Sequence, residues 1–226
     1  MTSAPERPSD VVESAIARLW DVVDDLARLN PPSSDEYRVT IFGSARACPG
    51  VAAYDQVKEL ARRLAERGCV IVTGGGPGLM QAANEGERLG DPENLRPTLG
   101  VRIDLPFEQG ANPYVERTIT HGTFFSRLHH FARLSNAFVV VEGGVGTTLE
   151  SLMVWQLLQV RHLHDVPLVF VGPMWRDLVA WARAHMLAAA PPLASPEDLE
   201  IPQCVDTIDE AEVIVVRHLE SFRAGV

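Results

Sequence analysis

From Arg38 onward, short β-branched runs alternate with stretches whose apolar residues recur every three or four positions. That alternation is the mark of crossover units, in which parallel strands are joined by amphipathic helices. Strands are predicted at 39–43, 69–73, 98–103, 137–141 and 168–171, with a further candidate at 115–120. Helices are predicted near 54–67, 78–89, 124–134, 147–160, 175–187 and 208–223. The expected fold class is α/β, a Rossmann-like, doubly wound and mostly parallel sheet. Proline-rich stretches at 105–113 and 191–202 read as loops.

Ahead of the sheet, residues 1–9 read as a loose tail and 10–30 as a helix stopped by Pro31-Pro32. Val12, Ile16, Leu19, Val23 and Leu26 follow spacings of four, three, four and three, which make a packing seam. The seam either docks on its own domain or meets another subunit. Residues 36–226 are expected to form a single domain, since 226 residues are few for two ordinary ones.

Composition narrows the function classes. Hydrophobic residues make up 46% and charged residues 22%, an ordinary globular balance. No apolar run is long enough to span a bilayer, and Met-Thr-Ser-Ala-Pro-Glu-Arg lacks the features of a secretory signal, so a cytoplasmic protein is expected. Cys48, Cys69 and Cys204 lie far apart with no C-x-x-C pair, which suggests neither disulfides nor a zinc site. A net charge of −10 argues against nucleic acid or an anionic membrane as partner. A small phosphorylated ligand is compatible with it, because a few arginines and helix N-termini supply the local field.

Three predicted strands end in glycine-bearing turns: Phe42-Gly43-Ser44-Ala45-Arg46, Thr73-Gly74-Gly75-Gly76-Pro77-Gly78 and Glu142-Gly143-Gly144-Val145-Gly146-Thr147. The carboxyl edge of an open α/β sheet is where ligands bind, and glycine lets backbone amides approach a phosphate closely. An anionic phosphoryl group is the expected occupant. A dinucleotide fingerprint after Thr73 would need glycine where Leu79 stands, and no phosphate-loop motif exists. The only lysine, Lys58, lies on a helix and points away from its packing face. That placement argues against a phosphate-loop ATPase and against a pyridoxal enzyme, which needs a lysine in its site.

Thr147-Thr148-Leu149-Glu150 supports two readings. As a capping box, Thr147 and Glu150 satisfy each other's backbone donors at a helix start. Alternatively the amides of Gly144 to Thr148 and the threonine hydroxyls hold a phosphate, and Glu150 faces the sugar. A carboxylate there stabilises positive charge developing at an anomeric carbon. Upstream, Arg127, His130 and Phe131 share one helix face, and an arginine there can fork onto a phosphate or onto a ribose and a carboxylate. His129, His130, His162 and His164 could do acid–base work, though surface or packing roles fit them better.

At these residues the chain resembles the Lonely Guy family of phosphoribohydrolases, long labelled lysine decarboxylases. The similarity covers about residues 38–185. It rests on Gly74-Gly75-Gly76-Pro77-Gly78-Leu79-Met80, on Glu142 through Glu150, and on Trp155-Gln156-Leu157 with His162 and Val166-Pro167. Two positions depart from the family pattern. Glu142 replaces a proline and Leu128 a lysine, which leaves Arg46, Arg102 or Arg133 to restore positive charge. The resemblance implies a Rossmann-like dimer or higher homo-oligomer that works without metal or organic cofactor. It implies hydrolysis of a nucleoside 5′-monophosphate, AMP-like or a cytokinin riboside monophosphate, to free base and ribose 5-phosphate. It makes Arg127 and Glu150 the catalytic pair, with Gly43, Ser44, Gly74, Gly75, Gly76, Met80, Gly143, Gly144, Gly146, Thr147 and Thr148 binding substrate. The alternative is a nucleotide-binding or carrier protein of the same fold without catalysis.

Overall fold

β-branched and aliphatic runs that are apolar on both faces form strands only where helices cover both faces. The computed structural model, which describes residues 12, 16, 36–104 and 110–225, meets that condition. Its strands are β1 (Tyr37–Phe42), β2 (Cys69–Thr73), β3 (Leu99–Ile103), β4 (Arg117–His121), β5 (Ala137–Val140), β6 (Leu168–Val171) and β7 (Pro202–Val205). All neighbours pair in parallel, in the order β4-β3-β2-β1-β5-β6-β7. The helices are α1 (Ala52–Glu66), α2 (Leu79–Gly90), α3 (Phe124–Leu134), α4 (Val145–Gln159), α5 (Pro173–Ala182) and α6 (Ile208–Ala224).

Alternate residues of each strand feed two cores. Val39, Ile41, Ala137 and Val139 pack with Leu60, Leu64 and Leu79 of α1 and α2 and with Val215 and Leu219 of α6. Phe42, Phe138 and Val140 pack with Phe131, Val154, Trp155 and Trp175 of α3, α4 and α5. The fold is therefore the doubly wound α/β sheet expected from the alternation of strands and helices. The chain winds outward one way from β1 through β2, β3 and β4, then returns to the centre at β5 and winds the other way.

Several boundaries differ from the sequence expectation. β7 lies at the end of the stretch read as a loop; it is short and opens on Pro202, which an edge strand tolerates because its outer side needs no donor. The outer strand β4 runs Arg117–His121 rather than 115–120. The helix predicted over 175–187 is an α-helix to Ala182 followed by a π-helical turn, Arg183–Leu187. The chain divides into Met1–Asp35 and Glu36–Val226. Of the predicted helix 10–30 only Val12 and Ile16 are described, both helical; the remainder and the tail 1–9 lie outside the described residues. Among the described residues no helix is long and apolar enough to cross a membrane.

One buried acid stands behind the sheet. Glu87 on α2 is 1% exposed, and its Oε1 accepts from the Ile71 amide at 2.7 Å. Pairing between β2 and β3 starts only at Val72 and Leu99, so the carboxyl supplies the acceptor that β3 does not. Its Oε2 is buried without a hydrogen-bond partner among the described residues. Burial pushes its carboxyl well above the usual carboxylate range, against the smaller opposing effect of the Ile71 bond, and the charge of Asp91 adds a lesser push in the same direction as burial. A carboxyl raised in the folded state adds stability that is complete below its unfolded pKa and is lost as pH rises through the folded value. Each unit of upward shift costs the charged form about 1.4 kcal/mol. Glu87→Gln keeps an acceptor for Ile71 and carries no charge. It is expected to melt above the parent at pH 8, with the gap narrowing steadily toward pH 4. Thermal melts across that range check this; parallel curves would remove Glu87 as the cause.

Candidate active site

In an open sheet the crevice forms where strand order reverses, here between the carboxyl ends of β1 and β5. Two glycine turns meet at that point, and the third follows β2. The backbone of Ser44 ties all three together. Its amide donates to the Glu142 carbonyl at 2.9 Å, and its own carbonyl accepts from the Leu79 amide at 2.8 Å. Gly78 makes the second bond feasible. Its φ is +74°, and a Cβ there would sit 2.3 Å from the Ser44 oxygen.

Arg127, from the first turns of α3, reaches into this junction. Its Nη1 lies 3.0 Å from Glu150 Oε1, with the two side chains 11% and 12% exposed. Its Nε donates to the Val101 carbonyl on β3 at 2.9 Å, and its guanidinium lies 5.3 Å from the centre of the Phe131 ring. A Cβ on Gly74 would come within 2.5 Å of Arg127 Nη2 and 2.7 Å of Met80 Sδ. Glycine at 74 therefore leaves the space that the guanidinium fills. The sequence-predicted residues Gly74, Met80, Arg127 and Glu150 are thus brought into one cluster, with Gly76 resting on Met80.

The start of α4 corrects the capping-box reading. Gly144, not Thr147, is the N-cap, and no side chain caps the helix. Thr148 N bonds back to Gly144 O at 2.9 Å, so the amides of Val145, Gly146 and Thr147 precede the first intrahelical bond. They are donors at the positive end of a fifteen-residue helix. Glu150, freed from capping, turns to Arg127. The threonine hydroxyls differ from expectation: Thr147 is buried against Gly143, and Thr148 Oγ1 donates to Gly144 O at 3.0 Å. The donors this turn presents are therefore backbone amides, at a stretch where Gly144 and Gly146 are exposed and a Cβ would meet nothing within 4 Å.

Two groups near the cluster escaped sequence reasoning. Asn112, inside the stretch read as a loop, donates through its own amide to Gly75 O and through Nδ2 to Gly76 O, both at 2.9 Å. The proline-rich stretch there marked a loop but gave no sign of that reach. His121, at the end of β4, places Nε2 2.9 Å from His130 Nδ1. Burial, then the neighbouring cations, push His130 down to about 4, and burial and Arg127 lower His121. The two rings pack edge to face. His162 and His164 are exposed. Among the candidate compensating arginines, Arg102 on β3 lies against Gly75. Lys58 pairs with Asp55 and Glu85 at 3.5 and 3.6 Å on the α1–α2 surface, so no amine is available here for a Schiff base.

Known proteins share this architecture. The molybdenum cofactor carrier protein of Chlamydomonas reinhardtii superposes with a TM-score of 0.59, over 82% of this chain and 99% of its own, at 19% identity. A molybdenum cofactor binding protein of Rippkaea orientalis superposes with a TM-score of 0.61, over 83% and 99%, at 16% identity. At such identities the likeness concerns the fold alone. In sequence, the pyrimidine/purine nucleotide 5′-monophosphate nucleosidase of Escherichia coli K12 is 29% identical over 126 residues, which are 53% of this chain and 28% of that protein. The chain thus spans under a third of that relative's length. Residues 80–214, more than half of the chain and including Arg127 and the turn from Glu142 to Glu150, match the family described as "Possible lysine decarboxylase". The chain belongs to that family, the one its glycine motifs resemble under the name Lonely Guy.

Proposed function

We propose that the chain hydrolyses the N-glycosidic bond of a nucleoside 5′-monophosphate, AMP-like in the first instance. The observation that carries the reading is the Arg127–Glu150 pair, mostly withdrawn from water beside the exposed amides at the start of α4. Those amides donate to the oxygens of the 5′-phosphate, which sets the ribose against Glu150. As the bond from the anomeric carbon to the base breaks, its electron pair leaves with the base, and the carboxylate stabilises the cationic sugar. Water adds its oxygen to that carbon, and its proton completes the departing base. Arg127 holds Glu150 in place through a charge-assisted bond. The nucleosidase name of the Escherichia coli relative supports the same reaction class.

The second reading is binding without turnover. The molybdenum cofactor carrier protein, which shares the fold, supports it; the exposed Glu142 carboxylate, standing where the family pattern has proline, weakens the hold on a phosphate in either reading. Incubation with AMP separates the two. Release of adenine and ribose 5-phosphate is expected from the parent chain. Glu150→Gln, which keeps a hydrogen bond to Arg127 but no charge, is expected to lower kcat by roughly 10²–10⁴. Arg127→Lys, without the planar fork, is expected to lose about tenfold or more. Adenine release equal in parent and Glu150→Gln would end the catalytic reading, and retained AMP without release would favour the carrier.

The same reading includes a homodimer. α4 is apolar on nearly every side, the character of a helix covered all round. Leu149 and Leu152 on it are 46% and 43% exposed, and Val145 at its start and Phe125 on α3 are 89% and 83% exposed. A patch of that kind belongs in an interface, and a second copy of α4 is the self-complementary partner for it. Light scattering is expected to give twice the 24.8 kDa chain mass, and Leu152→Arg is expected to give the single-chain mass. A monomeric parent would remove the dimer.

A further inference from the structure

A turn that receives an anion has to present N–H groups and keep its carbonyl oxygens elsewhere. The turn from Gly74 to Gly78 meets that demand through one residue outside it. Asn112 takes up two of its acceptors: its backbone amide donates to Gly75 O at 2.9 Å, and its Nδ2 donates to Gly76 O at 2.9 Å. Nδ2 also donates to Asn84 Oδ1 at 3.0 Å, and Asn112 Oδ1 accepts from Tyr114 N at 3.1 Å. Both side-chain hydrogens and the oxygen are committed, which fixes the orientation of the amide. Asn84, fully buried on α2, also accepts from Thr73 Oγ1 at 2.8 Å, and that hydroxyl accepts from Gly75 N at 3.0 Å.

The peptide geometry gives this network its consequence. In a planar trans peptide the C=O and N–H point in opposite directions. With the Gly75 carbonyl drawn to Asn112, the Gly76 N–H faces away from Asn112. The next peptide unit has no N–H, because Pro77 supplies its nitrogen, and its carbonyl is drawn to Asn112 as well. Gly76 thus offers the outward donor of that stretch, in a turn whose first glycine touches Arg127.

We infer that Asn112 is a positioning residue for ligand recognition. By holding the Gly75 and Gly76 carbonyls inward, it turns the Gly76 N–H toward the ligand, as a second contact to an oxygen of the phosphorylated sugar. This rests on the sugar-phosphate reading of the site, and the test separates the two. Asn112→Asp is isosteric and keeps the backbone bond to Gly75, but its side chain cannot donate, and it sets a carboxylate against the carbonyls of Gly76 and Asn84, which pushes the turn away from residue 112 and weakens the hold on Gly75 as well. If the parent hydrolyses AMP, the variant is expected to raise KM about tenfold or more with kcat within about threefold. A purely structural role would instead lower the melting temperature and leave KM as it was.

If the parent releases no base, the hydrolytic reading fails, and calorimetry with ribose 5-phosphate still decides the role of Asn112. Binding weakened about tenfold or more by Asn112→Asp supports it. Equal binding, or no binding by the parent, overturns it. A readout that needs no variant is the Gly76 amide proton in the parent chain. Ribose 5-phosphate is expected to move it downfield, and an unmoved resonance overturns the assignment.

Discussion

The guanidinium of Arg127 sets the constraint around which the site is built. A cation only 11% exposed is costly unless its charge and its hydrogens are met, and three separate elements meet them. Glu150 comes from α4, the Val101 carbonyl from β3, and the Phe131 ring from the same helix as Arg127. Each fixes a different part of the fold. The Val101 bond holds α3 to the end of β3, the Glu150 bond holds α3 to α4, and the space itself exists because residue 74 lacks a Cβ. Removing one partner of a mostly buried ion pair typically costs about 3–5 kcal/mol. The pair therefore serves position as much as stability.

Around that pair, the backbone does what side chains do in many other sites. Ser44 links the turns after β1, β2 and β5 through its own amide and carbonyl, so the three strand ends keep one relative arrangement. α4 then starts at an exposed glycine with no side-chain cap, which leaves its first amides for a ligand. An uncapped helix start costs stability in an isolated helix. Here it lies at the point where strand order reverses, and in the proposed function the uncapped donors hold the phosphate.

Much of this was legible in the sequence because it follows from local chemistry. Strand alternation gave the doubly wound sheet, and α3 was bounded correctly at Phe124–Leu134, where Thr123 supplies the N-cap acceptor for Ser126. The glycine turns were placed at strand ends from their spacing alone. Thr147 and Glu150 were harder, because the pattern of a threonine followed three residues later by glutamate fits a capping box wherever a helix begins. The helix begins earlier, at Gly144, and tertiary pairing with Arg127 decides the fate of Glu150. Asn112 and Glu87 were not legible at all. Their partners, Gly75, Gly76 and Ile71, lie 16 to 37 residues away in sequence and on other elements. β7 was missed because four residues opening on proline carry no alternation to read.

The proposed function divides the labour inside the turn from Glu142 to Glu150: backbone amides for the phosphate, a carboxylate for the sugar. A crystal structure of the chain with ribose 5-phosphate tests it most directly. The phosphate is expected on the amides of Gly144 to Thr147, with the anomeric carbon facing the Glu150 carboxylate. A phosphate bound at another edge of the sheet, or a sugar turned away from Glu150, would contradict it.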